Sequence, residues 1–240
     1  MQLEDRLSAF LNLGKRLESI DNVTLSTLTE KTKSENSWFT DNNVVMALTG
    51  VRRLLEARAL ETWVSGYNIP PLKSPSEVAL ILAGNIPCVG FHDILCVLIT
   101  GNRAQIKRSS KDSVLITFIL DSLVKIDYRF EEYISFTEKV KNFDAVIATG
   151  SDNSSRYFDY YFSKYPSIIR KNRTSVAIMS GTESVEDIQQ LGVDIFSYFG
   201  LGCRNVSKIF VPEKYSIPML FDHWKKFEPV ICHHKYANNY

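Results

Sequence analysis

The spacing of apolar positions predicts helices in roughly the first third of the chain. Apolar residues between Leu7 and Leu17 recur every three or four positions, which is typical of one buried face of an amphipathic helix. A second, longer helix is predicted over residues 41–64, with a capping side chain at Thr40 or Asp41. The N-terminal segment is therefore expected to be helical throughout.

After Pro70-Pro71 the pattern changes to short apolar runs that alternate with helical segments. This alternation predicts an α/β fold, a Rossmann-type parallel sheet with helices on both faces. The predicted strands are 78–84, 103–107, 133–137, 144–150, 175–181 and 205–212. The predicted helices between them are 91–100, 111–125, 153–163 and 183–199.

Ligands of such sheets bind where the carboxyl ends of strands meet loops. Four loops follow predicted strands or precede the last one, and we expect function there: Gly84–Gly90, Lys107–Lys111, Thr149–Ser155 and Gly200–Arg204. A change from the apolar pair Ile168-Ile169 to a polar run predicts a domain boundary near 170–174.

Composition limits the classes of partner. The chain has 240 residues, 45% of them hydrophobic, and a formal net charge of +1, so no long-range field attracts it to nucleic acid or to an anionic membrane. No apolar run reaches the ~18 residues of a membrane span. The amphipathic, charged N-terminus is unlike a signal peptide, and four well-separated cysteines suggest free thiols in a reducing compartment. We expect a cytoplasmic protein.

Cys203 is the candidate nucleophile. It lies between glycines and a basic residue just before a predicted strand, where a thiol is accessible and nearby positive charge stabilises its thiolate. Gly200 and Gly202 permit close approach of a substrate. A small buried residue at a tight turn is the alternative. Cys88 and Cys96, among apolar residues, are expected in the core.

Two further groups of residues are read as structural. Cys232 precedes His233 and His234, but one cysteine beside two adjacent histidines lacks the spaced ligands of a zinc site, and no metal is predicted. His92 opens the helix after the Gly84–Gly90 turn, where a packing or capping role is favoured over that of a general base.

Asn85 follows the first predicted strand directly. Its amide could donate to the oxyanion that forms when a carbonyl is attacked, although an Asn in this position also suits a simple turn cap. The glycine and hydroxyl of Gly150 and Ser151 stand between a strand and a helix, where a pyrophosphate could approach the helix N-terminus.

Lys107, Arg108, Ser109 and Ser110 follow the second predicted strand and lead into a helix. Cations and hydroxyls beside a helix N-terminus suit a phosphate or a ribose. A basic turn exposed to solvent would look the same.

In chain order, these groups resemble the motifs of the aldehyde dehydrogenase superfamily: the Asn85-Ile86-Pro87 turn, Lys107, Gly150-Ser151 and a glycine followed closely by Cys203 and a strand. Within it, the stretch from Gly84 to Ser113 is similar to acyl-CoA reductases related to the fatty acid reductase of bacterial luminescence. The resemblance runs from about residue 70 to the end, and more loosely through the N-terminal helices.

The resemblance implies a cofactor-binding domain with N-terminal helices over 1–172 and, over 173–240, the start of a thiol catalytic domain, which we expect to be truncated. It implies reduction of a fatty acyl thioester, of coenzyme A or of a protein, to an aldehyde through an acyl group on Cys203, with Asn85 at the oxyanion. Lys107 would hold the adenosine ribose. Arg108, Ser109 and Ser110 would lie beside it, and Gly150 and Ser151 near the pyrophosphate.

At two places the sequence departs from that of oxidative aldehyde dehydrogenases, and these differences indicate the direction of the reaction and the choice of cofactor. Those enzymes carry a glutamate that activates water, whereas residues 168–173 include no carboxylate, which favours a reductase. Ser110 stands where NAD-preferring relatives often have a glutamate, and this favours NADPH over NADH. Two alternatives stay open, an NAD-linked aldehyde dehydrogenase and a non-catalytic nucleotide-binding or assembly protein. Assembly as a homo-oligomer is also left open.

Overall fold

The computed structural model describes residues 1–71 and 74–239. They form two compact units, Met1–Lys171 and Asn172–Tyr240. Four helices precede the first strand: α1 (Leu3–Glu18), α2 (Asn22–Glu35), α3 (Asp41–Leu54) and α4 (Ala57–Ser65). The predicted cap at Thr40 is confirmed, because its side-chain oxygen accepts a hydrogen bond from the Asn43 N–H.

The prediction of one continuous helix over 41–64 is wrong. The chain leaves helical geometry at Leu55 and Glu56, and Glu56 is extended, with ψ of 134°. Leu55 is buried and lies against α1, where a Cβ added to Gly14 would be 3.1 Å from the Leu55 Cβ. The contact with α1 thus outweighs the helical pattern of the local sequence.

The first unit contains a parallel sheet, as predicted, and it has five strands in the order β3-β2-β1-β4-β5. Its strands are β1 (Glu77–Ile81), β2 (Arg103–Lys107), β3 (Ile134–Phe136), β4 (Ala145–Thr149) and β5 (Ser167–Arg170). The sequence analysis missed β5, which is short and has exposed residues at its start. An edge strand of this kind has no buried apolar run for a sequence pattern to detect.

Three helices connect the strands: α5 (Phe91–Ile99), α6 (Val114–Ile126) and α7 (Asp152–Tyr161). Ala79, Val146, Ala148 and Phe162 cluster on the face of the sheet where Phe158 of α7 packs. Strand alternation places Val78 and Leu80 on the opposite face, and both are buried. On its outer side, α6 packs against α1 and α2.

The second unit is smaller. Its two parallel strands, β6 (Ser175–Ile178) and β7 (Val206–Phe210), are joined through α8 (Val185–Phe196) and followed by α9 (Ile217–Trp224) and α10 (His234–Asn239). Its core consists of Met179, Ile188, Leu191, Leu220 and Trp224. The indole Nε1 of Trp224 donates to the Ile188 carbonyl at 2.7 Å, so this buried polar atom is satisfied.

The most apolar helices, α5 and α6, have 9 and 13 residues, fewer than the ~20 that a bilayer requires. Over residues 1–71 and 74–239, no helix has both the length and the apolar character needed to cross a membrane.

The N-terminus of α6 is capped by a side chain from α2. Ser113, at the N-cap, makes no capping hydrogen bond of its own. Instead, the Glu35 carboxylate accepts from the Ser113 N–H at 2.9 Å, from the Val114 N–H at 3.2 Å and from the Ser113 hydroxyl. A carboxylate here satisfies helix donors and interacts favourably with the helix dipole.

We predict that Glu35→Ala lowers the free energy of unfolding by about 1–2 kcal/mol, because it removes a cap from two backbone donors. Glu30→Ala is the matched control, since Glu30 is an exposed residue of the same helix. Urea unfolding followed by circular dichroism measures both variants. Equal losses would show that Glu35 contributes no more than an ordinary surface residue.

Candidate functional site

The carboxyl ends of β1, β2 and β4 lie at one edge of the sheet because the three strands are parallel neighbours. Strand order reverses at β1: the chain proceeds to β2 and β3 on one side and then returns to β4 on the other. A crevice at such a reversal is the usual ligand site of open parallel sheets. Asn85 and Gly150 lie in the loops that leave this edge after β1 and β4, and Lys107 is the last residue of β2 at the same edge.

The turn Gly84–Gly90 leaves β1 and carries Asn85, which is exposed. Of the two cysteines predicted in the core, Cys88 is buried, whereas Cys96 is only half-buried. Cys88 has a positive φ of 59°, an uncommon conformation for a residue with a side chain. Its N–H donates to Asp112 Oδ2 at 2.8 Å. Gly90 is also required, because a Cβ there would come within 2.8 Å of Leu82.

The loop after β2 lines a cavity of about 540 Å³, which we call the polar cleft. Its lining residues are Ile81, Leu82, Lys107, Arg108, Ser109, Ser110, Ser113 and Glu138. The four residues predicted to bind adenosine ribose and phosphate therefore share one cavity. Hydroxyls and cations in a cavity of this size are chemically suited to a ribose or phosphate.

Both cations of the polar cleft have partners in the protein. Lys107 Nζ donates to the Glu138 carbonyl at 2.8 Å and lies 3.8 Å from the Glu138 carboxylate. The Arg108 guanidinium stacks over Phe136, with its Cζ 4.2 Å from the ring centroid, and donates to the Thr117 hydroxyl. These contacts hold the cation side chains at the wall of the cleft.

The segments that follow β1 and β2 are packed against each other. The Leu82 N–H donates to the Lys107 carbonyl at 3.1 Å. Gly84 lies so close to Ser109 that an added Cβ would be 2.3 Å from the Ser109 Oγ. The third contact is the hydrogen bond between Cys88 and Asp112.

Asp112 is almost fully buried, with 1% of its surface exposed. Burial raises the pKa of its carboxyl to about 8; the hydrogen bond from Cys88 opposes the shift, and the charge of Glu35 adds to it. Burial also raises the pKa of the Cys88 thiol, with a further contribution from Asp112. Near neutral pH both side chains are therefore largely uncharged, and Cys88 is a poor nucleophile.

Gly150 and Ser151 lie between β4 and α7, and they are not among the residues that line the polar cleft. Ser151 caps the helix by accepting a hydrogen bond from the Ser154 N–H. A Cβ on Gly150 would come within 2.8 Å of Phe158. Helix packing thus accounts for this glycine, whatever ligand approaches it.

His92 and Asp93 form a charged pair in the first turn of α5. The hydrogen bond to Asp93 raises the pKa of His92 to about 9, with a second contribution from Cys96. Burial opposes ionisation of Asp93, but His92 and the ion pair with Arg170 lower its pKa overall. A pKa of about 9 favours the protonated imidazole near pH 7, a form that cannot accept a proton from a substrate.

Cys203 belongs to the second unit and is exposed. The loop before it includes three consecutive residues with positive φ, Tyr198, Phe199 and Gly200. Asn205 holds this loop: its side chain accepts from the Gly202 N–H at 2.7 Å and donates to the carbonyls of Asp194 and Ser197. The thiol is thus accessible on an ordered turn.

Sequence reasoning missed four polar residues of these regions: Glu35, Asp112, Glu138 and Asn205. Each makes hydrogen bonds to a segment that is distant in sequence or irregular in structure. The periodic patterns that indicate helices and strands therefore did not identify these residues. Their residue types give a weak signal, because each is a carboxylate or amide near a helix end or a loop.

Comparison with known proteins adds family information. The acyl-CoA reductase (LuxC) family matches residues 71–217. A long-chain acyl-protein thioester reductase of Aliivibrio fischeri is 23% identical over 169 residues, which cover 63% of this chain and 35% of that protein. The chain thus aligns with about a third of the length of this reductase.

The fold is similar to that of solved aldehyde dehydrogenases. Aldehyde dehydrogenase 21 of Physcomitrella patens, in complex with succinate, matches with a TM-score of 0.73 and 15% identity over 93% of this chain and 51% of that one. NADP-dependent glyceraldehyde-3-phosphate dehydrogenase of Bacillus halodurans, complexed with NADP, has a TM-score of 0.70 and 15% identity over 94% and 52%. The chain spans about half the length of these enzymes.

The contact between Gly84 and Ser109 generates a prediction. Gly84→Ala should displace the loop after β2 and lower the free energy of unfolding by about 1–3 kcal/mol, because the new Cβ overlaps Ser109. Gly50→Ala is the control, since a Cβ on Gly50 has no neighbour within 4 Å and should stabilise α3 by roughly 0.5–1 kcal/mol. Thermal unfolding measures both, and a neutral Gly84→Ala would contradict the close packing.

Proposed function

This chain belongs to the acyl-CoA reductase (LuxC) family, and we propose that it reduces a fatty acyl thioester to the aldehyde with NADPH, through an acyl group on Cys203. The observation that carries the proposal is the exposed thiol of Cys203 on a turn ordered by Asn205, in a chain with this family's sequence. The acyl donor is a thioester of coenzyme A or of a protein.

Cys203 has the role of nucleophile. Its thiolate attacks the thioester carbonyl, a new thioester forms on its sulfur, and the donor's thiol leaves. The side-chain amide of Asn85 and the backbone N–H of Cys203 are the proposed donors to the tetrahedral oxyanion. Removing one donor of this kind typically costs about 10²–10³ in turnover.

The polar cleft is the proposed site for the adenosine end of NADPH. Lys107 and Arg108 supply positive charge, and Ser109 and Ser110 supply hydroxyls, in a cavity that suits a phosphorylated ribose. Gly150 and Ser151, at the N-terminus of α7, are the proposed neighbours of the pyrophosphate. When bound, NADPH would supply the hydride that reduces the acyl group.

The segment 168–173 supports reduction over hydrolysis. Ile168 and Ile169 belong to β5, and Arg170 is paired with Asp93. No side chain of this segment can accept a proton from water near pH 7. A general base typically contributes ~10²–10⁴-fold to such a hydrolysis, so the acyl group on Cys203 should persist until it is reduced.

Glu138 bears on the choice between NADPH and NADH. Its exposed carboxylate lines the polar cleft beside Lys107, and a carboxylate near a 2′-phosphate disfavours NADPH through like-charge repulsion. Lys107 and Arg108 act in the opposite direction. We propose NADPH, because two cations of the cleft oppose one carboxylate.

We predict that a long-chain acyl-CoA transfers its acyl group to Cys203 without any cofactor, seen as added mass on the intact protein. Cys203→Ala should abolish the transfer, whereas Cys232→Ser, which changes another exposed cysteine of the second unit, should retain it. Acylation mapped by peptide mass spectrometry to a different cysteine would show that the nucleophile is misassigned.

The trapped acyl-enzyme also tests direction. Diluted into buffer, it should release free acid slowly, and NADPH should discharge it as aldehyde at least 10²-fold faster if general-base assistance to water is missing. Rapid release of acid without NADPH would favour the NAD-linked aldehyde dehydrogenase alternative. A protein that is never acylated would fit the non-catalytic alternative.

For the cofactor, we predict that Ser110→Glu weakens NADPH binding on the order of tenfold, about 1.4 kcal/mol, with a smaller effect on NADH. The reason is repulsion between the new carboxylate and the 2′-phosphate. Glu138→Gln should shift preference the other way, toward NADPH. Titration calorimetry gives both affinities, and parallel losses for the two nucleotides after Ser110→Glu would contradict this position for the 2′-phosphate.

A further inference from the structure

The loop after β2 both lines the polar cleft and supports the turn that carries Asn85. Ser109, on the cleft wall, touches Gly84 at the start of that turn. Three residues later, the Asp112 carboxyl group accepts a hydrogen bond from the Cys88 N–H within the turn. One short loop therefore takes part in both functions proposed for this edge of the sheet. It lines the site for nucleotide binding, and it supports the turn whose Asn85 would stabilise the oxyanion.

We propose that Asp112 is a positioning residue, which transmits the binding of a nucleotide in the polar cleft to the Gly84–Gly90 turn and so orders Asn85. The inference rests on the proposed function, because it takes the ligand of the cleft to be the nicotinamide cofactor. It assigns no chemical step to Asp112 itself.

The geometry of Cys88 shows why this turn needs an outside support. A non-glycine residue with a φ of 59° is typically about 1 kcal/mol or more above the preferred backbone conformations. The hydrogen bond from its N–H to Asp112 is 2.8 Å long and buried, and it restrains this conformation. Loss of the Asp112 carboxyl group would leave the buried N–H of Cys88 without this acceptor.

The loop can pass a displacement toward the turn because its other end is fixed. Ser113 and Val114 are held by Glu35 of α2, directly after Asp112 in the chain. The Asp112 N–H donates to the Ser109 carbonyl at 3.2 Å, which links the cleft wall to the buried carboxyl. A ligand that restrains Ser109 therefore restrains Asp112 and, through it, the turn.

The support that Asp112 gives to the turn requires an acceptor oxygen and not an ionised side chain. Burying an ionisable group costs free energy, and the pKa of about 8 for Asp112 reflects that cost. Asparagine has nearly the same shape, can accept the same hydrogen bond and carries no charge. The pKa of this carboxyl is higher in the folded than in the unfolded chain. The free energy of unfolding therefore falls as pH rises from the ordinary pKa of an aspartate toward 8.

Hydrogen–deuterium exchange of peptides covering 84–90, measured with and without NADP⁺, tests the proposal without any turnover. In the wild-type chain, NADP⁺ should slow exchange in this turn several-fold. Asp112→Ala should exchange faster and lose the response to NADP⁺, whereas Asp112→Asn, which keeps an acceptor for Cys88, should retain it. Asp121→Ala, an exposed acidic residue of α6, is the control and should behave as wild type.

Wild-type exchange that NADP⁺ leaves unchanged in this turn would overturn the inference, even if Asp112→Ala does not fold. An unaltered response in Asp112→Ala would overturn it too. Acylation of Cys203 by acyl-CoA, measured on the same samples without nucleotide, reports separately on the proposed function. If the protein is acylated but its turn does not respond to NADP⁺, only the coupling through Asp112 is wrong. If the turn responds but the protein is never acylated, only the proposed reductase activity is wrong.

Discussion

The parallel pairing of β1 with a strand on each side is the constraint on which the first unit depends. Ile81, the last residue of β1, is in register with Lys107 of β2 and Ala148 of β4, so three chain segments leave the sheet at the same level. Neighbouring strands lie only about 4.8 Å apart. The segments that follow are therefore crowded, and small residues such as Gly84 and Ser109 occupy the closest approach.

The sequence was sufficient to predict the centre of this fold but not its margins. The apolar run of β1 and the alternation of Ala104 and Ile106 with polar residues in β2 are visible in the sequence, and the prediction of 103–107 coincides with β2. At the margins, contacts from elsewhere in the chain decide the structure. Helix 41–64 is divided at Leu55 by packing against Gly14, and β5 pairs as a half-exposed edge whose sequence has no distinctive pattern.

The candidate site was predictable to a similar extent. Parallel topology brings the loops after strands together, so Lys107 and Ser110 could be expected in one cavity. The contacts that hold these loops could not be predicted, because Glu138 lies 31 residues from its partner Lys107 and Asp112 lies 24 residues from its partner Cys88. Such pairs depend on how two loops run side by side in three dimensions, and local periodicity contains no information about that.

The cap that α2 provides for α6 has a consequence for the architecture of the first unit. Terminal segments are often the parts of a domain that tolerate deletion best. The N-terminal helices precede the sheet in the chain and would be an obvious segment to delete. Here, deletion of the residues from the N-terminus through Glu35 would remove the cap of α6. It would also expose the side of α6 that packs on α1 and α2. Deletion of the N-terminal helices is therefore expected to destabilise the first unit, although they lie outside the sheet.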